Sequence, residues 1–338
     1  MAIRLKDIAA DLGVSTITVS KVLRNKPDVG EATRRRVLKR VKELNYRPNL
    51  LARGLASGHS NTIGLIVPDL VHTFFAEFAK GLKAGLRKRG YQLVLASAEE
   101  DPQMEAEEID NLLARGVDAL LLASCQTGTE GLRSLLEANL PYILIDRVLP
   151  NLSTHFVGTD DVAAGAMATA HLVSCNRRRI AHIGNSELST GADRFRGYQQ
   201  ALQMAGLPQI DSLVVHRVRL EEAGDKVGFA AMAKLLQSKK RPDAVFCYND
   251  LSAVGAINCI LEAGLNVPND IAVIGCGNLR LATYLEVPLS SIDQNTAELG
   301  EQAASLTTTL LSGTATPEFR DIRVQPKVVA RASTVGKA

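Results

Sequence analysis

Near the N-terminus, several hydrogen-bonding side chains lie within one short segment whose apolar residues have helical spacing. Within "VSTITVSKVL" they are Ser15, Thr16, Thr18, Ser20 and Lys21. A helix that only filled a protein core would not need these groups. Hydroxyls and an ammonium on one helix face are suited to contact another molecule, most simply a polyanion. A solvated helix face is the ordinary alternative.

The surrounding charge favours a polyanionic partner. Residues 1–60 contain 13 Lys and Arg against 5 Asp and Glu, a balance of +8, although the whole chain carries only +3. The remainder holds 26 basic and 31 acidic residues, a balance of −5. Positive charge concentrated in one small segment is typical of nucleic-acid binding, although a charge run alone is compatible with a solvated surface.

Three helices are expected to position these groups. Leu5, Ile8 and Leu12 have helical spacing, Gly13 ends that helix, and Ser15 can cap a second helix over 16–24. A third helix is predicted over 31–45. We expect it to bury Val37, Leu38, Val41 and Leu44 and to expose Arg34, Arg35, Arg36, Lys39, Arg40 and Lys42. Three short helices with a tight turn between the first two indicate a helix-turn-helix module.

A polar break ends this module at "NYRPN". Pro48 disfavours helix at the preceding residue, Asn49 can cap a short helix "LLARGLAS", and "SGHSNT" is typical of a linker. The predicted division is therefore 1–47 for the helix-turn-helix domain, 48–60 for the hinge helix and linker, and 61–338 for the core.

Beyond the linker, short apolar runs alternate with helical periods. The predicted strands are 62–67, 91–96, 117–123, 141–146, 180–184, 212–218, 243–248 and 271–276. The predicted helices include 75–88, 103–114, 162–174, 194–205, 223–237 and 251–263. Continuously apolar strands with intervening helices predict an α/β fold of doubly wound parallel sheets. Eight strands exceed one compact sheet, so we expect two lobes with a ligand-binding cleft between them.

Several classes of protein are disfavoured. The sequence contains no GxSxG, no GxxxxGK[ST] and no HExxH, and its six histidines are scattered. We therefore expect neither an enzyme nor a cofactor or metal site. The five cysteines are widely spaced and are predicted to be buried free thiols. No apolar run approaches the roughly 20 residues of a membrane helix and no export signal is evident, so a cytoplasmic location is expected.

The motifs resemble those of LacI/GalR-type bacterial transcription repressors over essentially the whole length. They run from "LKDIAADLGVSTITVSKVL" and "ELNYRPNLLARGLASG" through "RFRGY" and "CYNDLSAVGA" to "VPNDIAVIGCGN" and "LSSIDQN". The resemblance implies a homodimeric repressor that binds a palindromic operator through its helix-turn-helix. It also implies a core shaped like a periplasmic sugar-binding protein that senses a small effector. A plain solute-binding protein fits the core but not the basic N-terminal module.

The resemblance assigns the DNA contacts residue by residue. Thr16, Ile17 and Lys21 occupy positions that face base edges in the major groove, where Lys21 can donate to guanine O6 or N7. Ser15, Thr18 and Ser20 are expected at phosphates, or as a cap and surface residues only. Asn49, Ala52, Arg53 and Leu55 match the hinge helix that enters the minor groove, with Leu55 as the intercalating leucine. Leu55 can equally pack against its dimer mate.

The same resemblance implies an effector site in the core. Arg194 holds the place of the effector-binding arginine, with a structural ion pair as the alternative. Asp146, Asn249 and Gln294 match cleft positions near strand ends, and Asn249 and Asp160 can also be helix caps. Phe74 and Phe75 match ring-stacking positions, or they merely begin the following helix.

Two departures bear on the effector. Gly277, in "IGCGN", stands where many sugar-sensing relatives have an aspartate, and Leu188 stands where purine-sensing relatives have an arginine. The second departure argues against a purine. Loss of an acid while Arg194 is retained lowers the cost of binding an anion. We therefore expect a sugar or, by preference, a sugar acid of the gluconate or uronate type.

Overall fold

A computed structural model describes residues 3–23, 26–46, 58–185, 187–216, 224–313 and 318–336. The chain divides into two compact units, residues 1–60 and residues 61–338. Each unit has its own apolar core. We call them unit 1 and unit 2 and describe each by itself.

Unit 1 is a small helical module. Its described helices are α1 (Leu5–Leu12), α2 (Thr16–Leu23) and α3 (Glu31–Glu43). Gly13 ends α1 in the left-handed conformation, with φ of 63°, which allows the sharp turn into α2. The buried residues of the three helices form one core, namely Ile8, Ala9, Val19, Val22 and Val37.

Two predictions for α3 are wrong. Leu38 was expected in the core but is 46% exposed, because one side of α3 covers the module and Leu38 lies beside the buried stripe that Val37 occupies. Arg34 was expected on the surface but is partly buried, and its guanidinium donates to the carbonyl of Lys26. Helix α3 also ends two residues earlier than predicted.

Unit 2 begins with a lobe that we call lobe 1. Its strands are β1 (Thr62–Val67), β2 (Gln92–Ser97), β3 (Ala119–Leu122), β4 (Tyr142–Ile145), β5 (His155–Thr159) and β11 (Asp321–Val324). Its helices are α4 (Thr73–Lys88), α5 (Pro102–Ala114), α6 (Arg133–Glu137) and α11 (Thr296–Leu311). The strand order is β11-β5-β4-β3-β1-β2, and all pairs are parallel. Apolar side chains fill both faces of the sheet, as expected for parallel strands.

The other lobe, lobe 2, repeats this plan. Its strands are β6 (Ile180–Gly184), β7 (Val214–His216), β8 (Ala244–Cys247), β9 (Ala272–Cys276), β10 (Ser290–Asp293) and β12 (Lys327–Val329). Its helices are α7 (Asp161–Ser174), α8 (Ser189–Met204), α9 (Gly224–Leu236), α10 (Asp250–Glu262) and α12 (Ala332–Val335). The order is β12-β10-β9-β8-β6-β7, parallel except for the antiparallel edge strand β12.

The chain passes between the lobes at three described places. These are the segments from β5 to α7, from β10 to α11 and from β11 to β12. Neither lobe is therefore continuous in sequence. Residues that follow strands of one lobe can stand against the other lobe.

The predicted α/β class is confirmed, but the strand count is wrong. The described residues contain twelve strands, not eight, and those added are β5, β10, β11 and β12. Strand β10 lacks an apolar run because its buried Ser290 and Ser291 bond to neighbouring elements through their hydroxyls. Strands β11 and β12 are short edge strands that carry charges. All eight predicted strands occur, and within the described residues their ends match the predictions to about two residues.

Helices α7 and α8 approach closely enough for their backbones to touch. A Cβ at Gly165 would lie 1.9 Å from the carbonyl oxygen of Arg194, and one at Gly197 would lie 2.0 Å from that of Val162. Only glycine permits this approach. It holds Arg194 of α8 against the first turns of α7.

We predict that Gly165→Ala destabilises unit 2. The added methyl forces the two helix backbones apart, at a cost of about 1–3 kcal/mol. Thermal unfolding followed by circular dichroism measures this change. Gly30→Ala is the matched control, because no atom lies within 4 Å of a Cβ at that position. An unfolding temperature of Gly165→Ala equal to that of the wild type would contradict the close packing of these helices.

Candidate functional sites

The start of α2 presents the polar groups from which the sequence analysis began. The hydroxyl oxygen of Ser15 accepts from the backbone N–H of Thr18 at 3.0 Å, so Ser15 caps the helix. The hydroxyls of Ser15 and Thr18 also lie 2.9 Å apart. Thr16 is exposed, and Ile17 is 64% exposed although it is apolar. An exposed isoleucine on a helix of eight residues is suited to contact another molecule.

Lys21 lies on the same helix and is already paired. Its Nζ donates to Oδ2 of Asp28 at 2.5 Å, and both side chains remain near half exposed. Hydrogen bonding to Lys21 holds the pKa of the Asp28 carboxyl below its ordinary value. Lys21 is therefore accessible, with a carboxylate competing for its ammonium.

The four predicted hinge residues lie outside the described residues. They are Asn49, Ala52, Arg53 and Leu55. Their assignment stays a prediction.

In unit 2, one cavity gathers every predicted effector residue. Lobe 1 supplies Phe74, Phe75 and Asp146, and lobe 2 supplies Arg194, together with Asn249 and Gln294 from its strand ends. His72, Tyr248 and Cys276 complete the lining. The cavity is narrow, and residues of both lobes form its walls.

The topology explains why distant residues meet there. Asp146 follows β4, Asn249 follows β8, and Gln294 follows β10. The carboxyl ends of parallel strands share one edge of a sheet, and ligands of open α/β folds bind beyond that edge. Phe74 and Phe75 begin α4 just after β1, with ring centroids 5.1 Å apart at an interplanar angle of 82°. They give the cavity an apolar wall.

Arg194 forms a buried ion pair and also borders the cavity. Its Nε donates to Asp161 Oδ1 at 2.7 Å and its Nη1 donates to the carbonyl of Tyr248 at 2.8 Å. Neither bond uses Nη2. Its guanidinium also lies 4.7 Å from the centre of the Tyr248 ring. The structural role and the ligand-binding role can therefore belong to the same side chain.

The charge of Asp161 depends on this partner. Burial raises the pKa of the Asp161 carboxyl to about 7, and the guanidinium of Arg194 opposes that rise. Deprotonation of Asp161 in this site is therefore tied to the presence of Arg194.

The remaining polar groups differ in how fully they are bonded. Asn249 caps α10 by accepting from the N–H of Ser252 at 2.9 Å, yet its buried Nδ2 has no acceptor among the described residues. Gln294 donates through Nε2 to the hydroxyl of Thr159 at 3.2 Å, next to a crossing between the lobes. Asp160 caps α7 and does not line the cavity. Asn249 is thus a helix cap that keeps one amide donor without an acceptor among the described residues.

The backbone conformation at position 277 explains why glycine stands there instead of an aspartate. Its φ of 129° favours glycine, so an aspartate would be strained there. A Cβ at this position would also lie 3.7 Å from a carboxylate oxygen of Asp250, which already accepts from the N–H of Leu279. Leu188 precedes α8 and does not line the cavity.

Sequence reasoning missed His72, Tyr248 and Cys276 as lining residues. Tyr248 stands in "CYND" and Cys276 in "IGCGN", each at the end of a predicted strand, so the strand-end rule would have found both. His72 packs against Phe75 with ring centroids 5.6 Å apart, in a loop whose sequence carries no signal. Among the described residues there is no group of His, Cys, Asp or Glu that could hold a metal ion.

We predict that Arg194→Ala costs about 3–5 kcal/mol of stability at pH 8.5, because it leaves Asp161 buried without its partner. The variant carboxyl keeps its proton to a higher pH than in the wild type. The loss of unfolding free energy relative to the wild type should therefore be smaller at pH 6. It should grow as the pH rises through about 7, the pKa of Asp161 in the wild type. Chemical denaturation at both pH values measures it. Asp161→Asn combined with Arg194→Ala should recover much of the loss, and failure to recover would contradict the pairing.

Known proteins resemble this chain over most of its length. Residues 4–49 match the profile of bacterial regulatory proteins of the lacI family, and residues 169–334 match the periplasmic binding protein-like domain. Catabolite control protein A of Priestia megaterium is 32% identical over 91% of this chain and 92% of its own. The ribose operon repressor of Escherichia coli (strain K12) is 35% identical over 88% of this chain and 90% of its own.

A solved structure agrees with these relatives. The complex of the transcriptional regulator CelR with cellobiose is 30% identical, covers 98% of this chain and 99% of its own, and superposes with a TM-score of 0.73. No helix within the described residues has the length and apolar character needed to span a membrane. The chain belongs to the lacI family of bacterial regulatory proteins, and it is a DNA-binding transcriptional regulator.

Proposed function

We propose that the protein is a repressor of a carbohydrate catabolism operon, binds a palindromic operator as a homodimer, and is switched by a small sugar or sugar acid. One observation carries the proposal. Six residues predicted for effector binding, from both lobes, line one cavity, while a separate unit of strongly positive charge carries the helix-turn-helix. Its action belongs in the bacterial cytoplasm, at the nucleoid, and it involves no catalysis.

Recognition of DNA is assigned to α2. Thr16 and Ile17 contact thymine methyls, and Lys21 donates to guanine, while Ser15, Thr18 and Ser20 bond to phosphates and fix the register. The exposure of Thr16 and Ile17 supports this assignment. The segment 48–60 acts as the hinge, and Leu55 wedges into the minor groove beside Asn49, Ala52 and Arg53.

Recognition of the effector is assigned to the cavity of unit 2. A sugar ring packs on Phe74 and Phe75, and its oxygens accept from Arg194 Nη2 and Asn249 Nδ2. Asp146 accepts from hydroxyls, and Gln294 can both donate and accept. Gly277 supplies no carboxylate, which favours a sugar acid over a neutral sugar.

Coupling between the sites follows from the way the lobes meet. Polar contacts between described residues join them: Val148 N donates to Ser189 Oγ at 3.0 Å, and the guanidinium of Arg323 in β11 lies 3.6 Å from a carboxylate oxygen of Asp193 in α8. We infer that the lobes separate for ligand entry and close around the bound ligand, because residues of both lobes line the same narrow cavity. A ligand that prefers one degree of closure shifts the population of the DNA-binding form.

The decisive experiment is selection of bound duplexes from a random library, with and without a panel of sugars and sugar acids. We expect a palindromic site whose affinity falls steeply with salt. Lys21→Ala should remove the preference at one base pair in each half-site, worth about 1–3 kcal/mol. Lys39→Ala, an exposed lysine on α3, is the matched control and should weaken all duplexes alike. Recovery of no preferred duplex would refute the proposed function.

A conservative substitution tests the effector assignment. Arg194→Lys keeps a positive charge beside Asp161 but removes the forked donor, so we expect ligand affinity to fall about tenfold or more while operator binding is retained. Calorimetric titration measures the affinity, first across the panel and then with the selected ligand. Arg196→Lys, on the exposed side of the same helix, is the control. Binding of neutral sugars with none of the sugar acids would contradict the sugar-acid assignment.

A further inference from the structure

The ion pair between Lys21 and Asp28 occupies the point where base reading is proposed. The carboxylate lies 2.5 Å from the ammonium, at the distance of a strong charged hydrogen bond. The side chains of Lys21 and Asp28 are 40% and 52% exposed, so both can exchange partners with water or with a bound molecule.

The chain holds Asp28 in this place through backbone contacts. The N–H of Lys26 donates to the carbonyl of Lys21 at 3.0 Å, which returns the chain beside α2. Arg34 of α3 donates to the carbonyl of Lys26 and secures the same loop. Asp28 then lies in an exposed turn between α2 and α3.

The other acids of unit 1 have different neighbours. Asp7 accepts from the backbone N–H of Arg4 at the start of α1, and Asp11 accepts from Arg40 at 2.6 Å. Glu31 and Glu43 pair with basic residues of their own helix. Among the described ion pairs of unit 1, that of Asp28 is the one that engages a residue assigned to a DNA base.

We propose that Asp28 is a specificity-determining residue that competes with guanine for the ammonium of Lys21. At an operator with guanine in this position, Lys21 must leave or share its carboxylate partner before it can donate to O6 or N7. At any other base, Lys21 keeps its ion pair with Asp28, so the protein gives up little binding energy there. The carboxylate therefore reduces the difference in affinity between a duplex with guanine at this position and a duplex with another base. This inference rests on the proposed base contact of Lys21.

The test compares Asp28→Asn with Asp11→Asn in the full-length dimer. Asparagine is also favoured in turns, and both changes remove one negative charge and release one basic partner on unit 1. Two duplexes are used. One is the operator selected by the wild type, and the other is the same operator with a different base pair at the position that Lys21 is proposed to read. Asp28→Asn should raise the preference for the guanine duplex about two- to fivefold, the range for an exposed ion pair. Asp11→Asn should change both affinities by the same factor.

A double variant distinguishes the competitor role of Asp28 from the base contact of Lys21 on which it rests. In a Lys21→Ala background, Asp28→Asn should act like Asp11→Asn and leave the preference unchanged. An unchanged or reduced guanine preference in Asp28→Asn alone would overturn the competitor role, since a reduced preference means that Asp28 orients Lys21 for its base. If Lys21→Ala itself leaves the base preference intact, the base contact fails, and the role of Asp28 fails with it.

Discussion

The buried pair of Arg194 and Asp161 is the interaction on which the proposed effector site depends. Asp161 begins α7 directly after the crossing from lobe 1, and Arg194 ties that point to α8 and to the end of β8 through the carbonyl of Tyr248. Buried ion pairs are weak sources of net stability, because desolvation offsets their attraction. The value of this pair lies in orientation, since it fixes the guanidinium of Arg194 in a cavity wall that also includes Asn249, whose Nδ2 has no acceptor among the described residues.

Unit 1 uses charge in the opposite way. Its ion pairs lie at the surface, where water screens them and each contributes little to stability. Such pairs can be exchanged for phosphates or base edges without leaving a buried charge behind. The core of the unit, around Ile8, Val19 and Val37, holds the helices together without relying on these surface pairs. Weak pairing on a firm core suits a surface that must bind and release DNA.

Comparison of prediction and structure shows which signals carried information. Continuous apolar runs located strands such as β1 and β6 because parallel strands are covered on both faces. Strand β10 was not predicted, because its buried serines interrupt the apolar run. Their hydroxyls form hydrogen bonds with Thr334 and Asp250, and no local sequence pattern reveals those partners. Leu38 was misplaced because helical spacing does not say how wide a stripe the neighbouring helices cover. The resemblance supplied the six residues predicted for effector binding, whereas Tyr248 and Cys276, which also line the cavity, were missed although they stand at the ends of predicted strands.

The sequence by itself determined the positive N-terminal segment, the helix-turn-helix and the alternation of strands and helices, because charge and periodicity are local properties. Only the tertiary structure decided that residues as distant as Phe74 and Gln294 line one cavity, since three chain crossings join two lobes whose residues line that cavity together. It also decided the partners of Arg194 and Lys21. Hydrogen-bond partners depend on which backbones can approach, and for α7 and α8 that approach depends on glycines whose neighbours lie about 30 residues away.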